Sequence, residues 1–172
     1  MALLEVDYSF SDKNVMLRGV TTSAEAKNVL LKELARKGYT VMDCLELLPD
    51  VKGLEGKTCG IINVSVANMR VAPDFSSEMM TQSLMGMPVR VLQRDGWVRI
   101  QTPDNYIAWV HRVGVHPVTE EEMAAWNKAE KIVVTAHYGF IYSEPNQTSQ
   151  TVSDVVAGNR LKWEGSKGAF YK

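Results

Sequence analysis

The sequence predicts a mixed α+β chain in which a small βαβ-like unit (residues 1–57) is followed by a compact all-β unit of barrel or sandwich type (58–117), a linker helix (118–130) and a second, incomplete β unit (131–172). Three observations predict it. One long segment with helical periodicity lies between two strand-like runs near the start. From residue 61 the apolar residues fall in short runs broken by turn chemistry. The two β stretches also align with each other at a fixed offset.

In the first unit, "NVMLRGV" (14–20) reads as a strand. "TSAEAKNVLLKELARKG" reads as a helix, with Thr22 and Glu25 at capping-box spacing and Ala26, Val29, Leu30 and Leu34 on one face. Gly38 supplies a left-handed stop. "YTVMDCLELL" (39–48) follows as a mostly apolar strand, expected to be buried on both faces. "PDVKGLEGK" (49–57) reads as a charged linker bearing Gly and Pro.

The β texture is punctuated by "APDFSS", "MGMP", "RDG" and "TPDN". It is interrupted by "VTEEEMAAWNKAEK", a helix with a capping box at Thr119 and Glu122 and with Met123 and Trp126 on one face. Strands resume at "IVVTAHYGFIY". A shift of 72 residues pairs Pro73 with Pro145, Ser77 with Ser149, Gly86 with Gly158 and Gly96 with Gly168. Core falls on core too, Leu84 on Val156, Val89 on Leu161 and Val98 on Phe170. An in-register set of turns and core positions predicts an internal duplication whose second copy lacks about one hairpin at the 72-residue register. Such a copy is expected to be the less stable of the two, since it leaves an edge unpaired.

Composition narrows the function. A net charge of -1, from 19 basic and 20 acidic residues, leaves no basic stripe for nucleic acid. No apolar run reaches the ~20 residues of a membrane span, and the start shows no signal peptide. Cys44 and Cys59 are too few for a disulfide framework, and His111, His116 and His137 do not stand at metal-ligand spacing, so neither metal nor cofactor is expected. Asp43-Cys44 mimics a nucleophile motif, and a freestanding hydrolase using Cys44 is one alternative. A reactive thiol needs a helix N-terminus or a neighbouring imidazolium, whereas Cys44 is placed in a buried strand and reads as inert.

The stretch "VANMR…P…MTQSLMG…V.VL…GW..IQTPDNYIAWV" resembles the bacterial SH3 domains that precede the catalytic domain of NlpC-type cell-wall peptidases, the YkfC-like γ-D-glutamyl-L-diamino-acid endopeptidases. "KIVVTAHYGFIYSEPNQTSQTVSDVVAGNRLKW" resembles the start of a second such domain. The resemblance implies a parent enzyme whose papain-like domain carries an Asp-Cys-Ser-Gly nucleophile motif and cleaves murein peptides. No such domain is visible here, so this chain is expected to be the non-catalytic accessory part, with that catalytic domain and peptidoglycan or murein peptides as partners. The implied compartment is the cell envelope or periplasm. In the family, a tyrosine in a D-x-Y-x-G-W turn helps recognise the free N-terminal L-Ala of the substrate. The pattern matches at Asp104, Tyr106 and Trp109, with Ala108 in place of glycine, which would disturb the turn if that position needed positive φ. Tyr106 is therefore the principal substrate-binding candidate, with Asp104 in the same turn. Gln82, in the "MTQSLMG" segment, is a further contact candidate. Trp109, Met80 and Met85 are expected in the core. A third alternative is a peptide-binding adaptor, for which Phe75, Trp97, Tyr106 and Trp109 would make a poor aromatic groove.

Overall fold

The computed structural model describes residues 2–172. The first unit holds β1 (Leu4–Ser11), β2 (Asn14–Thr21), α1 (Ala24–Arg36) and β3 (Thr40–Leu47). β1 and β2 form a hairpin, and β2 pairs with β3 in parallel through the α1 crossover. The predicted β-α-β order is present, with β1 added in front. Its sequence, LEVDYSFS, alternates apolar and polar residues as a half-covered strand should.

One face of this sheet carries Val15, Leu17 and Leu45, against which Leu30, Leu31 and Leu34 of α1 pack. The helix covers that face only. β3 is also an edge strand, and most of it is consequently open: Met42, Cys44 and Leu47 are exposed. The expectation of burial on both faces is corrected, because an apolar run describes two buried faces only where both have a covering layer. The α1 cap is also one residue later than expected. Ser23 Oγ accepts from the Ala26 amide at 3.1 Å, while Thr22 Oγ1 accepts from Leu3 N at 2.8 Å and so is committed to the chain start. Gly38 ends the helix at φ +83°.

The second unit is one seven-stranded antiparallel sheet built from β4 (Cys59–Ile62), β5 (Val66–Arg70), β6 (Met79–Leu84), β7 (Pro88–Asp95), β8 (Trp97–Gln101), β9 (Ile107–His111) and β10 (Val115–Val118). Its order is β10-β4-β7-β8-β9-β5-β6. Ile62, Met69, Val89, Val91, Val98, Ile100, Val110 and Val115 meet in a single cluster. Inner residues of so many strands share one cluster only if the sheet rolls over itself. The terminal strands β10 and β6 do not pair, so the expected barrel is corrected to a rolled but open sheet. Leu54, from the segment read as a linker, is buried in this core, and the Asp50 amide donates to Leu92 O at 3.0 Å. That segment is therefore packed and is no free tether.

α2 (Glu120–Lys128) carries both bonds of the Thr119–Glu122 capping box and buries Met123. Beyond it lie β11 (Lys131–Val133), β12 (Tyr138–Tyr142), β13 (Thr151–Val156), β14 (Arg160–Lys162), β15 (Ser166–Lys167) and β16 (Phe170–Tyr171). The 72-residue register recurs here in β11 to β14, while the β15–β16 hairpin is one residue out of it, Lys167 pairing with Phe170 where Asp95 pairs with Trp97. Cys59 pairs with Arg90 and Lys131 with Lys162; Val66 pairs with Leu84 and Tyr138 with Val156. Even the bulge after Met69 returns after Ile141. The Asp74 carboxylate accepts from the Ser76 amide at 2.7 Å, as Asn146 Oδ1 accepts from Thr148 at 3.0 Å. Gly86 and Gly158 share positive φ. These strands nevertheless form three separate two-stranded sheets, and Trp163, at the position equivalent to buried Val91, is 39% exposed.

Candidate functional site

The β8–β9 turn is closed by its own side chain. Thr102 N donates to Tyr106 O at 3.0 Å, Tyr106 N donates to Thr102 Oγ1 at 3.1 Å, and Asn105 N donates to Thr102 O at 2.9 Å. Thr102 is buried, and the positive φ of the turn falls on Asn105 at +70°, a residue that tolerates it. Ala108 is buried in regular strand β9 and is not among the positive-φ residues, so its methyl costs the turn nothing. The backbone of Tyr106 is thus fixed while its ring stands 46% exposed, with exposed Asp104 at the tip.

Strand alternation puts Ala108 and Val110 in the core and Trp109 on the outer face, which corrects its expected place inside. There the Arg99 guanidinium lies 5.1 Å from the Trp109 ring centroid, within cation–π reach. Arg99 is buried because the first unit lies over it and supplies Glu5 as its ion-pair partner; its Nε makes no hydrogen bond. Sequence reading passed over Arg99, although the alternation W-V-R-I-Q marks it as the outward residue between Val98 and Ile100.

Gln82 is exposed but does not join this turn. Its amide donates to Asn68 Oδ1 at 2.8 Å across the β5–β6 pair. Arg70 is the residue opposite Trp109; in an antiparallel pair Asn68 then runs toward His111, away from Tyr106. Met85 is buried as expected, whereas Met80 is 42% exposed and its core assignment is corrected. Near Gln82's partner Asn68 lies a groove of about 190 Å³ bordered by Phe75, Trp97 and His111. The three rings meet at 4.9 to 5.3 Å between centroids, so an aromatic groove does exist, assembled without Tyr106 or Trp109.

Cys44 is exposed on β3, not buried as expected, and it lies opposite Arg18 on an open sheet face. Alkylation of this thiol would therefore report exposure alone. Cys59 is half-buried, and burial together with the Glu120 carboxylate pushes its thiol above the ordinary range. Among the described residues no group of three or more His, Cys, Asp and Glu side chains is placed to hold a metal, and no helix is long and apolar enough to cross a membrane.

Beside the β8–β9 turn, bordered by its Thr102, Pro103 and Asn105, a cleft of about 600 Å³ opens between the first unit, the rolled sheet and α2. Thr22, Arg90, Gln101, Asn105, Met123 and Asn127 line it. Arg90 Nη1 donates to Gln101 Oε1 at 3.0 Å.

A family model described as the bacterial dipeptidyl-peptidase SH3 domain matches residues 69–113, the stretch from β5 to the end of β9 that holds the Tyr106 turn. Among solved structures, the chain is similar to an NlpC/P60 family protein from Bacillus cereus, with a TM-score of 0.52 and 19% identity over 66% of this chain and 50% of that one. It is also similar to an NlpC/P60 endopeptidase from Photobacterium damselae, with a TM-score of 0.51 and 14% identity over 83% of this chain and 32% of that one. The chain thus spans half or less of the length of these structures. No curated protein matches it. The chain carries an SH3-like domain within a mostly β fold.

Proposed function

We propose that this chain is a non-catalytic module of an NlpC-type cell-wall peptidase, in which the first SH3-like domain restricts the substrate and the second copy assists targeting. The parent would hydrolyse the γ-D-Glu–diamino-acid bond of murein peptides with a free N-terminal L-Ala, in the cell envelope or periplasm. The observation that carries the reading is the Tyr106 turn: backbone pinned by Thr102, phenol exposed, and Asp104 exposed two residues earlier in the same turn. A rigid aromatic with a polar tip loses little entropy on binding, and its hydroxyl and the carboxylate of the same turn accept hydrogen bonds from an ammonium group. A wall of this kind at one end of a catalytic cleft admits a short peptide that ends in an amine and stops a longer chain. The matched SH3 domain and the NlpC/P60 neighbours support the assignment of an accessory role.

The test is Tyr106→Ala in the complete peptidase. The expected outcome is a fall of about tenfold or more in kcat/KM for peptides with a free L-Ala terminus, the ~1.4 kcal/mol of one anchoring aromatic. N-acetylated peptides, poor substrates of the parent, should lose nothing further. Unchanged rate and selectivity would remove the reading. The freestanding hydrolase is disfavoured, since Cys44 lies mid-strand with neither a helix N-terminus nor an imidazole among its described contacts.

A further inference from the structure

We infer that the groove rimmed by Phe75, Trp97 and His111 binds a proline-rich, polyproline-II segment of a partner protein. It lies at the opposite end of β9 from the Tyr106 turn, ~14 Å along the strand, and stands independently of the reading of that tyrosine. Its origin is a break in the rolled sheet. Among the described residues β5 and β9 pair only through Arg70 and Trp109. Asn68 and His111 are next in that register, but the ladder stops before them and the groove of about 190 Å³ opens there. Buried Ala67, Val110 and Gly114 floor it, so a ligand seated in it rests on the core itself.

The aromatic rim is not something the fold requires. Phe75 stands 67% exposed on a turn locked by its neighbours: Asp74 Oδ1 accepts from the Ser76 amide and hydroxyl, Ser77 Oγ accepts from the Ala72 amide at 2.9 Å, and Arg70 donates to Ser77 O. The second copy builds the same turn with the equivalent bonds from Thr148 to Asn146 and from the Glu144 amide to Ser149. There the 72-residue shift puts Gln147 at the place of Phe75 and Ala169 at that of Trp97. The turn thus folds with a polar tip, and the rings of the first copy are extra to it. A large apolar side chain held exposed on a rigid turn gives up little entropy when a ligand covers it.

Hydrogen-bonding chemistry selects the ligand. The Trp97 indole N–H has no partner among the described residues. Asn68 Oδ1 is taken by Gln82 Nε2, which leaves the Asn68 amide N–H groups to donate, and Arg70 keeps N–H groups beyond the one on Ser77 O. No acidic side chain lines the groove. A site rich in donors and without a carboxylate suits a ligand that brings acceptors and few donors of its own. Proline residues do this, offering a carbonyl and no N–H, and the polyproline-II helix is already extended before it binds. The three ring centroids lie 4.9 to 5.3 Å apart, room for about two residues at the ~3.1 Å rise of that helix. None of the chain's six prolines adjoins another, which points to a segment of a partner.

The experiment titrates the whole ¹⁵N-labelled chain with acetyl-hexaproline amide, with a glycine–serine hexapeptide capped alike, and with chitotriose, and reads the side-chain N–H signals. Hexaproline should shift the Trp97 indole and Asn68 amide signals to saturation, and the glycine–serine peptide should leave them in place. Phe75→Gln, a side chain the second copy's turn already accepts, should weaken hexaproline about tenfold or more. Trp97→Phe keeps a ring but loses the indole N–H, and should weaken it about threefold or more. Tyr106→Ala should bind hexaproline as wild type does; a loss there would place the peptide elsewhere and overturn the inference. No saturable shift in wild type overturns it, as does undiminished affinity in a folded Phe75→Gln chain, or in Trp97→Phe should that variant alone fold. Shifts with chitotriose and none with hexaproline overturn it in favour of a glycan site.

Discussion

At the scale of single residues, one aspartate shows how position decides what a charge does. Asp43 lies on the helix-facing side of β3 and pairs with Lys27 at 2.9 Å. Burial acts to raise its carboxyl, but the hydrogen bonds from Lys27 and the Leu45 amide and the Lys27 charge outweigh that, so the group lies below its ordinary value. A carboxyl held low in the folded state contributes stability above its unfolded pKa, near ~4, and loses it as pH falls through the folded value. Asp43→Asn should accordingly flatten the acid limb of the melting temperature below about pH 4 and change its slope little at neutral pH. Thermal melts at a series of pH values check this; an acid limb identical in wild type and variant would contradict it. The residue that carries the functional reading, Tyr106, was visible in the sequence because a turn motif names its neighbours. The groove of Phe75, Trp97 and His111 was not, since no spacing along the chain joins those three rings.

Among the elements, the repeated strands are the informative case. β11 to β14 copy the pairing of β4 to β7, but the strands that close the first core, β9 and β10, supply Ala108, Val110 and Val115. The second set has no such layer among the described residues, and Val155 is its one buried apolar side chain. Tyr138, Phe140, Val152 and Tyr171 remain exposed. Backbone ladders without a buried face open locally at low cost. Hydrogen exchange should therefore show amides of β12 and β13 protected at least about tenfold less than those of β8 and β9. Equal protection would mean that something outside these strands stabilises them. The element that sequence reading missed, β1, has its strand alternation in plain sight, but it packs only Val6 against the core and leaves Tyr8 and Phe10 open. The shifted α1 cap has a similar origin: Thr22 and Ser23 are equally good caps, and the Leu3 amide decides between them by claiming Thr22.

For the molecule as a whole, the contacts between units matter most. Glu5 ties the first unit to Arg99, Leu54 plugs the rolled sheet, and the second copy meets the first at the β6–β7 turn. There Arg160 N donates to Met85 O at 3.0 Å, Asn159 Nδ2 donates to Ser65 O at 2.9 Å, and Ser65 Oγ bonds Asp154 at 2.8 Å. Gly86 makes this approach possible: its φ is +82°, and a Cβ there would come 2.1 Å from the Arg160 carbonyl oxygen. Gly86→Ala should cost about 2 kcal/mol through the strained φ and force the two copies apart. Denaturant unfolding measures the first effect, and exchange at Arg160 the second. A variant as stable as wild type, with Arg160 still protected, would refute it.

The sequence by itself determined the strand–helix–strand order after β1, the all-strand texture from residue 61 and the helix that interrupts it, the turns, the 72-residue duplication down to its glycines, and the Tyr106 motif. All of these are local patterns, set by residue spacing along one stretch of chain. Tertiary structure alone decided that β3 is open on one side, that Trp109 and Met80 face outward, that Gln82 lies apart from Tyr106, and that Arg99 rather than Arg90 is covered and paired with Glu5. Each of those outcomes depends on which layer covers which face, and covering layers come from segments distant in sequence, where spacing along the chain carries no information.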